Sequence, residues 1–247
     1  MLFDNFDFPN KEERELIYKS CEHFQELCLT VDCEDNSDTT YIDIIENRML
    51  FEHWISQFNR KIGEVRISYI LLTHYFNKCS AFLKDAINAN EEGEEYNSNK
   101  YIFYFYADVF YHKAFSTWDF IYHLINIYYK LNILTKSGFN DKVMKKLKCI
   151  NTGLYSKLDD VCCNNDVFKE AKRFRNDLTH NFPPINATYI INKSNDGVTT
   201  LSVKPSIEPE DFIGNAKGLF GLFFDTLVVI KREFEKDLSR VKMINRE

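Results

Sequence analysis

The sequence predicts an all-α fold, a bundle of long helices with one small β-hairpin inserted before the C-terminal helix. Its 247 residues hold 22 Phe and 14 Tyr against 8 Gly and 5 Pro, a balance that favours long packed elements over a turn-rich sheet architecture. Apolar residues recur at mixed three- and four-residue spacing along most of the chain, which is the period of amphipathic helices. A single stretch, "ATYIINKSNDGVTTLSVKP", changes to two short β-prone runs around a turn signal. With 45% hydrophobic residues the chain can bury a substantial core. It reads as one helical domain over residues 1–247.

From Asn10 to Leu29, Leu16, Ile17, Cys21, Phe24, Leu27 and Cys28 mark an amphipathic helix with an acidic first turn, broken after Thr30 by "VDCEDNSD". A second helix is expected from about Tyr41 to Asn59. A third follows from about Glu64 to Asn88, with Ile67, Ile70, Leu71, Tyr75, Phe82 and Leu83 available for packing. The acidic "NANEEGEEYNSNK" reads as a surface linker. Tyr101 to Leu134 has no Gly or Pro and predicts one central helix, or two joined by a subtle break, closed by Gly138. "NDKVMKKLKCI" is a short basic helix, and "NTGLYSKLDDVCCNN" a loop or helical connection. The next helix starts near Asp166, which could cap it. Residues 186–204 predict the hairpin, Thr188 to Lys193 paired with Thr199 to Val203 across "NDG". The last helix covers 209–242, with Leu219, Phe220, Phe223, Leu227, Ile230 and Phe234 on its packing face and Gly214, Gly218 and Gly221 permitting close helix contact.

The formal charge of −6 gives no whole-protein field to attract a polyanion. A nucleic-acid site must therefore be local, and two basic runs qualify, "DKVMKKLK" and "KEAKRFR". Seven cysteines, including adjacent Cys162 and Cys163, show no CxxC spacing and suit a reduced, cytoplasmic protein. "MLFDNFDFPNKEERE" does not resemble a secretion signal. The most apolar windows are interrupted by Asp225, Asp108, His112 and Lys113, so no membrane partner is expected. His112, Asp119 and His123 lie on one predicted helix at spacings of seven and four and could meet a metal. Their aromatic surroundings favour a buried polar network instead, with Asp119 a candidate support for the helix that begins near Asp166. Without GxxxxGK or GxGxxG, neither a metal nor a nucleotide cofactor is assigned.

The stretch "RFRNDLTHNFPP" carries the functional signal. Pro183 and Pro184 lack backbone donors and should stop the helix near Asn181, leaving Arg175, Asn176 and His180 on its last turns. At about 100° per residue, His180 lies roughly 40° from Asn176 and roughly 140° from Arg175, with a rise of about 7.5 Å from Arg175 to His180. Val167, Ala171, Phe174 and Leu178 form the stripe that anchors this helix. Asp177 could orient a cation, but solvation of the helix end is the favoured role.

"RNDLTH", following "STWDFIYHLINIYYKL" at a distance, resembles the arginine, polar residue and spaced histidine of the HEPN superfamily, in particular its bacterial Clostridium thermocellum-type group. The resemblance places a HEPN-like core at 101–182, elaborated by the first hundred residues and the C-terminal hairpin and helix. It implies two protomers juxtaposing their motif helices in a shared cleft, with RNA as the substrate and no required metal. Arg175, Asn176 and His180 would be the catalytic residues of an endoribonuclease leaving 2′,3′-cyclic phosphate ends. His180 would transfer protons, Arg175 would stabilise the phosphate, and Asn176 would orient the histidine or touch the ribose. The same resemblance implies a role in phage defence or as a toxin, with a neutralising antitoxin as a candidate partner. The alternative is a catalytically inactive HEPN-like scaffold that binds a nucleotide or protein.

Overall fold

The elements follow in the order α1 (Lys11–Ser20), α2 (Tyr41–Ala86), α3 (Glu94–Tyr128), α4 (Phe139–Ile150), α5 (Thr152–Cys163), α6 (Asp166–His180), β1 (Thr188–Lys193), β2 (Thr199–Lys204) and α7 (Pro209–Ile244). The structure is a computed structural model that describes residues 6–31, 41–86, 94–180, 188–193, 199–204 and 207–244. All-α with a small hairpin is thus the observed class. The hairpin pairs Thr188 with Lys204 through Lys193 with Thr199 in antiparallel register; its "NDG" turn, like Asn181, Pro183 and Pro184, lies outside the described residues.

α2 and α3 form the spine. Their buried positions alternate by four and three: Phe58, Ile62, Val65, Tyr69 and Leu72 on α2, and Phe103, Ala107, Phe110, Ala114, Thr117, Ile121 and Leu124 on α3. That spacing keeps one seam of each helix on the other. Their course is antiparallel, since Phe51 meets Tyr128 at 5.5 Å while Phe76 meets Phe103 at 6.1 Å. α7 closes the bundle with all six expected face residues, Leu219, Phe220, Phe223, Leu227, Ile230 and Phe234, buried. Phe220 packs at 5.2 Å from Phe24, 5.0 Å from Tyr69 and 6.0 Å from Phe110, joining four segments of the chain. Among the described residues α7 is the one helix long and apolar enough to cross a membrane by length and composition, but half of that window is buried inside the bundle.

Several boundaries differ from expectation. The first helix stops at Ser20 instead of Leu29. Beyond it His23 takes a left-handed φ of 60° and stacks on Phe224 at 3.9 Å. Arg66 donates to the carbonyls of Gln25 and Leu27 at 2.9 and 2.7 Å, and Asn59 pairs both ways with the Leu29 backbone at 2.9 and 2.8 Å. These bonds take backbone groups that a continued helix would have used itself. α2 is one helix, not two, because Gly63 costs only about 0.5–1 kcal/mol in a helix interior while adjacent Ile62 and nearby Val65 are buried. The side chains of Phe82 and Leu83 lie outside the described residues.

α3 starts at Glu94, inside the expected linker, and ends at Tyr128 instead of Leu134. Its exit loop places Lys130 and Asn132 at φ of 48° and 54°, with the Asn126 amide bonded both ways to the Ile133 backbone at 3.1 Å. Gly138 does not close α3; at φ 72° it precedes α4 as its N-cap, a left-handed position suited to glycine. α5 is a full helix.

Of the three glycines on α7, Gly218 marks a close approach: a β-carbon there would meet Val167 Cγ1 of α6 at 2.9 Å, whereas Gly214 has nothing within 4 Å. Gly218→Ala should therefore lower stability by about 1 kcal/mol, overpacking outweighing the gain in helix propensity. Gly214→Ala should raise it by about 0.5–1 kcal/mol. Urea midpoints of the two variants, which should move in opposite directions, are the check.

Candidate active site

α6 is launched by Asn165, not Asp166: the Asn165 side chain accepts from the Phe168 amide at 3.1 Å. An N-cap lies just before the first helical residue, and Asp166 already occupies that position. The helix then locks its inner face into two neighbours. Phe168 packs at 5.2 Å from Phe115 and 4.8 Å from Trp118 of α3. Phe174 sits 5.5 Å from Tyr111 of α3 and 4.5 Å from Phe212 of α7. Asn215 of α7 donates to the Val167 carbonyl at 3.0 Å. Ala171 and Phe174 are fully buried, Val167 and Leu178 half-buried, so the expected stripe is the docking face. Tyr111 gives its hydroxyl to the Phe212 carbonyl at 3.1 Å, and burial pushes its pKa well up, which makes it a structural strut between α3 and α7.

This frame fixes the last two turns. The Arg175 guanidinium lies 4.6 Å from the centroid of the Phe115 ring, a cation–π arrangement. It also donates Nε and Nη2 to the Asn176 Oδ1 at 3.2 and 2.9 Å. Both side chains are half-buried. Of the three expected site residues, Arg175 and Asn176 are thus brought into direct contact. The Asn176 carbonyl oxygen accepts from Arg175, and its NH₂ group makes neither of these two bonds. His180 is the C-terminal residue of α6, one turn after Asn176; its side chain lies outside the described residues.

Asp177 is buried at 6% exposure, not solvating the helix end as expected, because position 177 is three residues from fully buried Phe174 and shares its inward side. The outward side carries Lys169, Lys172 and Arg173, all exposed, with Arg173 bonded to Glu170 at 3.3 Å.

His112, Asp119 and His123 have separate partners. Asp119 accepts from Asn140 of α4 at 2.8 Å, so it supports α4 instead of the motif helix. His123 is sandwiched between Trp54 at 4.8 Å and Phe139 at 4.5 Å, and burial lowers its pKa against the pull of Asp119. His112 instead reaches α6, where its Nε2 lies 2.9 Å from Thr179 Oγ1. Two signals in the sequence bear on that contact: Thr179 directly precedes His180, and Asp108 precedes His112 by four residues on the same helix face. Cys162 lies 3.5 Å from the Tyr122 hydroxyl and burial raises its pKa, the character of an inert packed thiol.

The model of the Cthe2314-like HEPN family matches residues 54–232. The chain belongs to that family. The HEPN match runs from within α2 to within α7, so it contains the whole α3–α6 framework and the motif, whereas α1 lies outside it. No curated protein and no solved structure matches the chain.

Proposed function

We propose that this HEPN chain is a metal-independent endoribonuclease that forms 2′,3′-cyclic phosphate ends at a site built from Arg175, Asn176 and His180 of two juxtaposed copies. The observation that carries the reading is the Arg175 guanidinium, held over Phe115 and clamped by Asn176 on the turn that leads to His180. A preorganised cation is what a phosphate needs as charge shifts onto its oxygens. The RNA 2′-hydroxyl attacks the adjacent phosphorus in line, its proton passing to an imidazole; the P–O5′ bond breaks and the 5′-oxygen takes a proton from an imidazolium. Flexible single strands and loops reach the in-line geometry more readily than a duplex. A closed, two-fold dimer would duplicate the polar cluster and line one cleft with both copies.

Purified protein should cleave single-stranded RNA with excess chelator present, leave cyclic phosphate ends, and show dimer mass in solution. RNA left intact with chelator and with added divalent metal would reject the ribonuclease reading. The acidic net charge of −6 favours the second reading, a HEPN scaffold that binds a nucleotide or protein without turnover. As a ribonuclease it would act in a bacterial cytoplasm as a growth-arresting toxin or phage-defence factor restrained by an antitoxin.

A further inference from the structure

α3 presents one titratable ring to the end of the motif helix. His112 Nε2 is 2.9 Å from the Thr179 hydroxyl, and Thr179 is the residue immediately before His180. The imidazole is not a packed core group, since its side chain is 51% exposed. Beside it, Asp108 Oδ1 is 3.9 Å from the same Nε2; the carboxylate as a whole is 41% exposed, but this oxygen is turned inward and has no hydrogen-bond partner. Buried carboxylate oxygens are ordinarily satisfied. An acceptor left over next to a half-exposed imidazole gives the ring two bonding choices, Thr179 or Asp108, separated by a small displacement. With Nε2 engaged by either, Nδ1 is the nitrogen that can take or give a proton.

We infer that His112 is a second proton-transfer residue of the site, supplied by α3 to the turn of α6 that ends at His180 of the same protomer. The inference rests on the ribonuclease reading and adds a residue from outside the motif. Transesterification at phosphorus needs one group to accept a proton and another to donate one. One imidazole, neutral, accepts the 2′-hydroxyl proton as the O2′–P bond forms. The other, as imidazolium, gives its proton to O5′ as the P–O5′ bond breaks. Each ring ends in the state in which the other began, and exchange with water resets both, so no further reactant is consumed. Thr179 holds the His112 ring, and the nearby Asp108 carboxylate favours its protonated form. Charged groups on the same and neighbouring elements include Asp108 and Lys113 of α3, Glu64 of α2 paired to Lys113 at 2.9 Å, and Arg175 and Asp177 of α6.

The test compares wild type, His112→Ala, His112→Gln and His180→Ala on one single-stranded RNA across a pH series, with folding followed by circular dichroism. His112→Ala should lower kcat by about 100-fold or more, leave KM within a few-fold, remove one limb of the pH–rate profile, and regain turnover with added imidazole. His112→Gln keeps an amide for Thr179 but cannot transfer a proton, so it should stay as slow; it carries the test alone if the alanine variant does not fold. Wild-type turnover in His112→Gln, or in His112→Ala while His180→Ala is inactive, would overturn the role of His112 and leave the ribonuclease reading standing. A wild type that cleaves no RNA would overturn both.

Discussion

His180→Ala should reduce cleavage of single-stranded RNA by about 10²–10⁴-fold, the range expected when a positioned general acid or base is removed, while the bundle keeps its stability. The two outcomes separate because of where α6 ends. Its docking groups are Phe168, Ala171, Phe174 and Asp177, all buried, and they precede the terminal His180. Substituting His180 leaves each of these docking groups in place, so a loss of rate without a loss of stability is the expected pattern. Rates from labelled RNA and unfolding midpoints from the same preparations check the pair. A folded His180→Ala that cleaves at the wild-type rate would remove the residue from the mechanism.

Arg175→Ala should cost about 10²–10³-fold in kcat, the usual loss when one preorganised donor to a developing oxyanion is deleted. Arg175→Lys should recover little of it. The guanidinium spends two donors on Asn176 and sits 4.6 Å over the Phe115 ring, which fixes its position. A lysine ammonium carries the charge but lacks the planar fork and cannot hold both contacts at once. Asn176→Ala removes the clamp and leaves the charge, so its loss should be smaller, about tenfold by the scale of one lost hydrogen bond to a charged group. Equal rates for the arginine and lysine enzymes would mean that charge alone matters at this position.

Periodicity made most of the fold legible, and the reason is visible in α3 and α7. Where one face of a helix is buried along its length, as with Phe220, Phe223, Leu227 and Ile230, the burial pattern and the sequence pattern coincide. Ends were less legible because they are decided by partners distant in the chain. Nothing near Ser20 announces that Asn59 and Arg66 will claim backbone groups of Gln25, Leu27 and Leu29. Gly63 carries the signature of a break, yet burial of its neighbours overrides it. At the site, spacing on one helix brought out the Arg175–Asn176 turn. The ring reaching Thr179 comes from α3, 67 residues earlier, and helix pairing is not written in local spacing. His112 therefore reads in the sequence as a neighbour of Asp119 and His123, although its partner is on α6.

The turns and loop after Ser20 bear on the order in which the chain assembles. Its anchors are remote: Arg66 lies 39–41 residues from the carbonyls it holds, and Thr30 meets Lys231 across 201 residues. Each doubling of a closed loop adds only about 0.6 kcal/mol of entropy cost, but that cost is met before any contact forms. The anchoring side chains sit on α2 and α7, so residues 21–31 are expected to settle onto these helices late in assembly. Amides of residues 21–31 should then exchange with solvent ahead of those of α2 and α3, which hydrogen exchange would check.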